Sequence, residues 1–438
     1  VISRSTVPDA PVVEIVPTGP VGGHVRAPAS KSVTNRLLVV AALAAGTSTL
    51  CHPLDSGDSL AMRGCVQALG ADVDVTGDTW RIAGTGGALS APARPLEAGL
   101  SGTTARFVVA ACALGSHGGT VTGAAPLRRR PIGPVVDALR ALGGKAEDTA
   151  GGLPVEVGGG GLDGGTVTID VSGSSQFASA VLLVAPYARG DVVCTLRGRS
   201  AADYIALTVE LMRRWGAHVE EAEQGWLVRA GAHYVARHED VEYDASAAAH
   251  LFGLAAASGG AVTVTNASAT RQPDAGAVDV LALFGCDVRT GPGGVTVAAP
   301  DALQPVDVSL AAMPDQVTTF AVLGALTPGT TVLRDVGVAR LHETDRLDAL
   351  ATELGRLGVR VDVSADALAI HGGTARGPAV LRTYDDHRLA MAFAALGSRV
   401  PGVAIADPGC VAKTYPAFWD DARLLGCTVL RRDAEADR

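Results

Sequence analysis

Apolar positions along this chain form a pattern that recurs six times. An Ala-rich apolar segment, a Gly and a β-branched run follow one another in AALAAGTSTL, ACALGSHGGTVTG, VAPYARGDVVC, AAASGGAVTVTN, GALTPGTTVL and AALGSRVPGVAI. The junction glycines are Gly46, Gly119, Gly190, Gly260, Gly329 and Gly402, a step of 69 to 73 residues. Segments that are apolar nearly all round predict buried helices, and the β-branched runs predict strands. A second marker keeps the same interval: a helical segment ends in an apolar residue plus Gly, and a strand begins. It reads VQALGADVDV, LRALGGKAE, MRRWGAHVE, LALFGCDVR, GRLGVRVDV and RLLGCTVL. Gly70, Gly143, Gly216, Gly285, Gly358 and Gly426 are the predicted helix stops, where a left-handed residue is tolerated by glycine.

Each unit therefore reads strand, helix, strand, helix, then further strand. Units of about 70 residues are too large for a solenoid. A chain of 438 residues is too long for one ordinary core, so two domains of three units each are expected. The crossing falls in segment 232–244. The expected division is an upper domain, 30–243, and a lower domain made of 1–29 and 244–438, with hinges near 25–30 and 240–246. The strand VVEIVPTG before the first unit is expected to pair with the C-terminal half.

Composition narrows the class. Hydrophobic residues at 47% and charged residues at 18% fit a packed α/β protein and exclude a disordered chain. A formal net charge of -9 argues against nucleic acid as a partner, because binding it needs a broad basic surface. The seven Cys are scattered, with no metal-ligand spacing, and read as buried thiols of a reducing compartment. No basic stretch followed by an apolar run opens the chain, and no apolar stretch reaches the length of a membrane span. The expectation is a cytoplasmic protein with no membrane partner, no metal and no cofactor. Lys occurs only at positions 31, 145 and 413.

Polar residues gather at one recurring place, the start of each Ala-rich helix. There stand Ser30-Lys31-Ser32-Val33-Thr34-Asn35-Arg36, Ser101-Gly102-Thr103-Thr104-Ala105-Arg106, Ser172-Gly173-Ser174-Ser175-Gln176, Asp244-Ala245-Ser246, Pro314-Asp315-Gln316 and Asp385-Asp386-His387-Arg388. The second helices open near Asp58, Arg130, Tyr204, His342-Glu343-Thr344-Asp345-Arg346 and Lys413-Thr414. Ser, Thr and Asp there are ordinary N-caps. Cations are not, because a helix N-terminus is already partly positive. Lys31, Arg36, Arg106, Arg130, Arg346, Arg388 and Lys413 in or near such first turns point to a shared ligand with several anionic groups. Repeat symmetry would bring these helix ends to one face of each domain, and two such faces form a cleft. Among these cations, Asp315 and Glu343 oppose anion binding, which points to proton transfer or hydroxyl recognition. Taken singly, Asp315 also reads as a cap and Glu343 as an i, i+3 partner of Arg346.

With these clusters in order, together with Arg130-Pro131-Ile132 and Asp407-Pro408 through Lys413-Thr414, the chain resembles the 5-enolpyruvylshikimate-3-phosphate synthase family from about Val25 to Gly426. The resemblance implies a two-domain inverse α/β barrel-like fold, each domain three βαβαββ repeats with buried Ala-rich helices and the active site in the interdomain cleft. It implies a monomer acting on phosphoenolpyruvate and shikimate 3-phosphate, with glyphosate as inhibitor. By motif matching, Lys31, Gly102 through its backbone, Arg130, Gln176, Arg346, Arg388 and Lys413 would hold phosphoenolpyruvate. Lys31, Ser32, Arg36, Ser174, Ser175, Gln176, Tyr204, Asp315 and His342 would hold shikimate 3-phosphate. Asp315 would orient or deprotonate the 5-hydroxyl, and Glu343 with Lys31 would handle the proton at C3 of phosphoenolpyruvate.

The chain departs from the family pattern at Leu100-Ser101, where Asn-Ala precedes Gly-Thr, and at Phe107, where Pro is common. His342 stands where Lys is frequent and Val338 where Asn is common. Ala201 replaces a serine before Tyr204, which leaves Ser200, Arg197 or Arg199 to take over its phosphate contact. The changes around Gly102 predict atypical glyphosate sensitivity. The sister family acting on UDP-N-acetylglucosamine usually carries a Cys shortly before the Arg-Pro of the second unit; the loop from Gly118 to Arg130 has none. A ligand-binding paralogue without activity is the remaining alternative.

Overall fold

The structure, a computed structural model, describes residues 11–198 and 202–432. Among them are six four-stranded sheets, and the third shows the plan. Strand Gly165–Asp170 runs parallel to Val192–Arg197, with Val167 beside Cys194. Val192–Arg197 pairs antiparallel with Gly225–Val228, which pairs antiparallel with Val219–Ala222. A parallel pair cannot be joined by a tight turn. Helix Gln176–Val184 makes that crossover, and helix Ala202–Arg214 leads into the closing hairpin. This is the βαβαββ unit.

Three sheets borrow a strand from elsewhere in the chain. His238–Asp240 lies parallel to Ala45–Cys51 in the first. Gly23–Val25 lies parallel to Ala261–Val264 in the fourth. Val12–Val16 lies between Val403–Ala406 and the last strand in the sixth. The chain divides into two compact units, one of residues 29–242 and one of residues 1–28 with 243–438.

Within each unit three buried helices pack on one another. In the first these are Lys31–Leu43, Gly102–Cys112 and Gln176–Val184; in the second, Ala245–Ser258, Val317–Leu326 and His387–Gly397. Every residue of Ala245–Ser258, Gly102–Cys112 and His387–Gly397 is buried. Small side chains let helices approach closely on all sides, and each fully buried Leu, Val or Phe among them contributes about 1.5–3 kcal/mol. The second helices instead bury one side: Arg346–Arg356 covers Leu347, Leu350 and Leu354 and leaves Arg356 half exposed.

The predicted stops are where the backbone turns left-handed. Gly70, Gly143, Gly216, Gly285, Gly358 and Gly426 have φ between 79° and 105°. At each, the glycine N–H and the next N–H return to carbonyls of the last turn, as in Gly358 to Gly355 and Val359 to Leu354. The helix ends are thereby satisfied and the chain is aimed into its next strand.

Candidate active site

In the unit of residues 29–242, the helix starts are knit together by arginines. Ser30 caps Lys31–Leu43 by accepting from Val33 N, and Lys31, the first helical residue, lies 3.4 Å from Asp58. Arg36 is buried. Its Nε donates to Thr208 Oγ1 at 2.7 Å and Nη1 to the Ser32 carbonyl at 2.9 Å, while Nη2 reaches Ser179 Oγ and the Tyr204 carbonyl. Its face lies over the rings of Phe107 and Tyr204. These partners are hydroxyls, carbonyls and rings, without a carboxylate, and burial pushes the guanidinium down to about 10. A buried cation held this way retains its demand for an anion.

Arg106 does the same work between two other helix starts. Its Nη1 donates to Gln176 Oε1 and its Nη2 to the Pro131 carbonyl at 2.9 Å. Gly102, first residue of Gly102–Cys112, sits against both Arg106 and Arg130. A Cβ there would lie 2.9 Å from Arg106 Nη1 and 3.1 Å from Arg130 Nη1, so glycine leaves room for two guanidiniums beside this helix start. Ser174 Oγ accepts from Gln176 N at 3.2 Å. Ser175 is the N-cap of Gln176–Val184 and is buried.

The unit of residues 1–28 and 243–438 solves the same problem with acids. Arg346 opens Arg346–Arg356 and is 1% exposed in its side chain, a place where an isolated charge would be untenable. Asp386 clasps it bidentately, at 2.7 and 3.2 Å. Glu343 accepts from its Nη2 at 3.0 Å, and Asp315 from its Nη1. Burial would lower the guanidinium, but Asp386, Asp315 and Glu343 outweigh it and hold it above its ordinary range. Lys413 closes on Glu343, and Arg388 on Asp315 at 2.9 Å. His342 Nδ1 stands 3.0 Å from Asp315 Oδ1 and 3.0 Å from Arg346 Nη1. Burial pushes the Asp315 carboxyl up; Arg388, Arg346 and His342 overcome this and keep it well below the usual carboxylate range.

A buried polar chain supports this cluster from beneath. His250 Nδ1 meets Thr319 Oγ1 at 3.0 Å, Thr319 donates to Gln316 Oε1, and Gln316 donates to Asp274 at 2.7 Å. Burial, with the charges of Arg388 and Arg346, holds His250 well below the ordinary imidazole range.

Sequence reasoning located most of these side chains and misplaced some of their settings. Asp315 is not a cap: it lies inside the short 3-10 turn Pro314–Gln316, whose N-cap position is Met313. Lys413 does not open a helix but closes the 3-10 turn Pro408–Lys413, and the helix Phe418–Leu424 begins later. Arg130 likewise precedes its helix, which starts at Gly133. The i, i+3 contact between Glu343 and Arg346 is present, alongside Lys413 on the same carboxylate. Arg197 pairs with Asp170 at 3.2 Å; Arg199, Ser200 and Ala201 lie outside the described residues. Thr208, Ser179 and Asp386 were missed as supports. The first two stand one helical turn beyond Tyr204 and Gln176, a spacing that could have found them. Asp386 was visible only as a cap.

A family profile for EPSP synthase (3-phosphoshikimate 1-carboxyvinyltransferase) matches residues 15–422. The chain is 39% identical over 416 residues to the 3-phosphoshikimate 1-carboxyvinyltransferase of Methanoculleus marisnigri, covering 93% of this chain and 98% of that protein. It is 38% identical over 409 residues to the enzyme of that name from Trichormus variabilis, covering 91% and 95%. Among solved structures, an EPSP synthase from Acinetobacter baumannii superposes with a TM-score of 0.82 at 25% identity, over 96% of this chain and 100% of that one. The repeats, the cation-lined helix starts and these relatives agree: the chain belongs to the EPSP synthase (3-phosphoshikimate 1-carboxyvinyltransferase) family.

Proposed function

We propose that this chain transfers the enolpyruvyl group of phosphoenolpyruvate to the 5-hydroxyl of shikimate 3-phosphate, releasing inorganic phosphate. The observation that carries the reading is the buried cluster in which Arg346, Arg388 and Lys413 hold Asp315 and Glu343. Such a cluster offers cations for a phosphate and carboxylate and acids for moving protons, in one water-poor place. Phosphoenolpyruvate is assigned to Lys31, the Gly102 backbone, Arg130, Gln176, Arg346, Arg388 and Lys413. Shikimate 3-phosphate is assigned to Lys31, Ser32, Arg36, Ser174, Ser175, Gln176, Tyr204, Asp315 and His342. The acid-free setting of Arg36 supports its share in binding a phosphate.

In the addition, the 5-hydroxyl oxygen bonds to C2 of phosphoenolpyruvate, the hydroxyl gives up its proton, and C3 gains one to become a methyl. In the elimination, the methyl returns a proton and the C2–O bond to phosphate breaks. Asp315 takes the hydroxyl proton, and Glu343 with Lys31 serves C3. A carboxylate held as low as Asp315 is a weak base. Anionic groups of phosphoenolpyruvate paired with Arg346 and Arg388 offset those cations and raise its basicity, so the base is strengthened by the substrate it serves.

A phosphate-release assay with both substrates is the test. Turnover that needs both is expected, and Asp315→Ala should lower kcat by about 10²–10⁴. Binding of both substrates without phosphate release would identify a ligand-binding paralogue, and an Asp315→Ala enzyme turning over normally would remove Asp315 from its role. The same proposal takes the protein as a cytoplasmic monomer, a compartment its seven free thiols suit. It also takes glyphosate as an inhibitor of atypical potency, since the surroundings of Gly102 differ from the family pattern.

A further inference from the structure

A cavity of about 500 Å³ lies at the far ends of two of the helices that begin at the acid-rich cluster. Its walls include Leu326, the last residue of Val317–Leu326, and Arg399, Val400 and Pro401, just beyond His387–Gly397; Arg376 and Gly377 complete it. Helices of this length rise about 15 Å, so the cavity is separate from the candidate active site. It has the size of a small-molecule pocket.

Its charge is what singles it out. Nine residues line it, two of them arginines and none an acid. Among the described residues, neither Arg376 nor Arg399 has an ion pair or a side-chain hydrogen bond. Of the other exposed arginines of the same unit, Arg334 is neutralised by Asp307 and Arg360 by Asp362, while Arg26 and Arg382, outside the hollow, have no ion pair among the described residues. In a chain of net charge -9, two unpaired arginines lining one hollow make a local reversal of sign. The hollow is also firmly built. Arg376 N donates to the Leu357 carbonyl at 2.9 Å and Arg399 N to the Leu396 carbonyl at 3.1 Å. A Cβ at Gly377 would lie 2.1 Å from the Pro401 carbonyl oxygen, so the two walls meet with no room for a side chain.

We propose that this cavity is a second ligand site, which takes a small molecule through a phosphate or carboxylate group held by Arg376 and Arg399. The guanidinium fork matches the oxygens of either anion, and Leu326, Val400 and Pro401 supply an apolar wall for a short carbon skeleton. The site stands independently of the reaction assigned above.

Phenylglyoxal modification read by mass spectrometry tests it on the full chain, with inorganic phosphate and citrate as probes at millimolar concentration. Both anions should slow modification of Arg376 and Arg399 several-fold and leave Arg81 and Arg94, which are exposed and outside the cavity, unchanged. Calorimetric titration with the same probes should show one site fewer in the Arg376→Gln/Arg399→Gln variant, whose basal turnover stays that of the parent. Preference for one probe tells which acid group the site favours. Equal protection of Arg81 and Arg94 would mean ionic screening alone and overturn the proposal. So would unaltered modification of Arg376 and Arg399, or an unchanged stoichiometry in the variant.

Discussion

Asp386 offers the sharpest test of how the acid-rich cluster is held together. Its side chain is fully buried beside an almost fully buried Arg346. It performs two tasks: both carboxylate oxygens accept from Arg346, and one also accepts from Arg388 N at 2.9 Å as the cap of His387–Gly397. Replacing it by Asn keeps a competent cap and removes the charge; replacing it by Ala removes both. Breaking a buried ion pair on one side destabilises by about 3–5 kcal/mol. Asp315 and Glu343 still face Arg346, so Asp386→Asn belongs near the lower end, about 3 kcal/mol. Loss of the cap adds about 1 kcal/mol in Asp386→Ala. Urea unfolding of the three proteins at neutral pH reads both quantities as differences from the parent. An Asp386→Asn protein within about 0.5 kcal/mol of the parent, the range of an ordinary surface change, would refute the view that this carboxylate holds Arg346.

Arg36→Gln should raise the KM for shikimate 3-phosphate at least about tenfold, the loss of one charge-assisted contact. It should also cost about 1–3 kcal/mol of stability, because buried Thr208, Ser179 and the Ser32 and Tyr204 carbonyls lose their shared donor; steady-state kinetics and urea unfolding on one preparation check the pair. His250 titrates lower in the fold than in the open chain, so the unfolded chain binds the extra proton and stability falls as pH drops below about 6.5. The slope from this group approaches about 1.4 kcal/mol per pH unit. His250→Asn should flatten the change in urea midpoint between neutral and mildly acidic pH, and an unaltered dependence would clear His250 of that role. Gly358 has φ 79° with open space around it, so Gly358→Ala isolates backbone strain and should destabilise by about 1–2 kcal/mol. A neutral substitution, measured by thermal unfolding, would contradict the left-handed stop.

Much of the fold was legible along the chain because its determinants are local. A helix that is apolar on every side, a glycine that must turn left-handed and a β-branched run each announce themselves within a few residues, and six repetitions lifted them above chance. Gly70 through Gly426 were located this way, and so were the polar helix starts that gather Lys31, Arg36, Arg106, Arg346 and Arg388. What stayed hidden was which partner each charge would find. Arg36 and Arg346 look alike in sequence, each in a polar cluster near a helix start. One ends among Thr208, Ser179 and aromatic rings, the other among three carboxylates from segments up to 40 residues away. Asp315 reads locally as a cap, but His342, Arg346 and Arg388 claim its carboxylate instead. Likewise Arg376 and Arg399 are unremarked surface residues until the chain folds them into one hollow. Periodicity fixes the elements because the backbone pairs with near neighbours; charge compensation is settled only by packing, since a buried ion accepts whatever opposite charge the tertiary fold brings within reach.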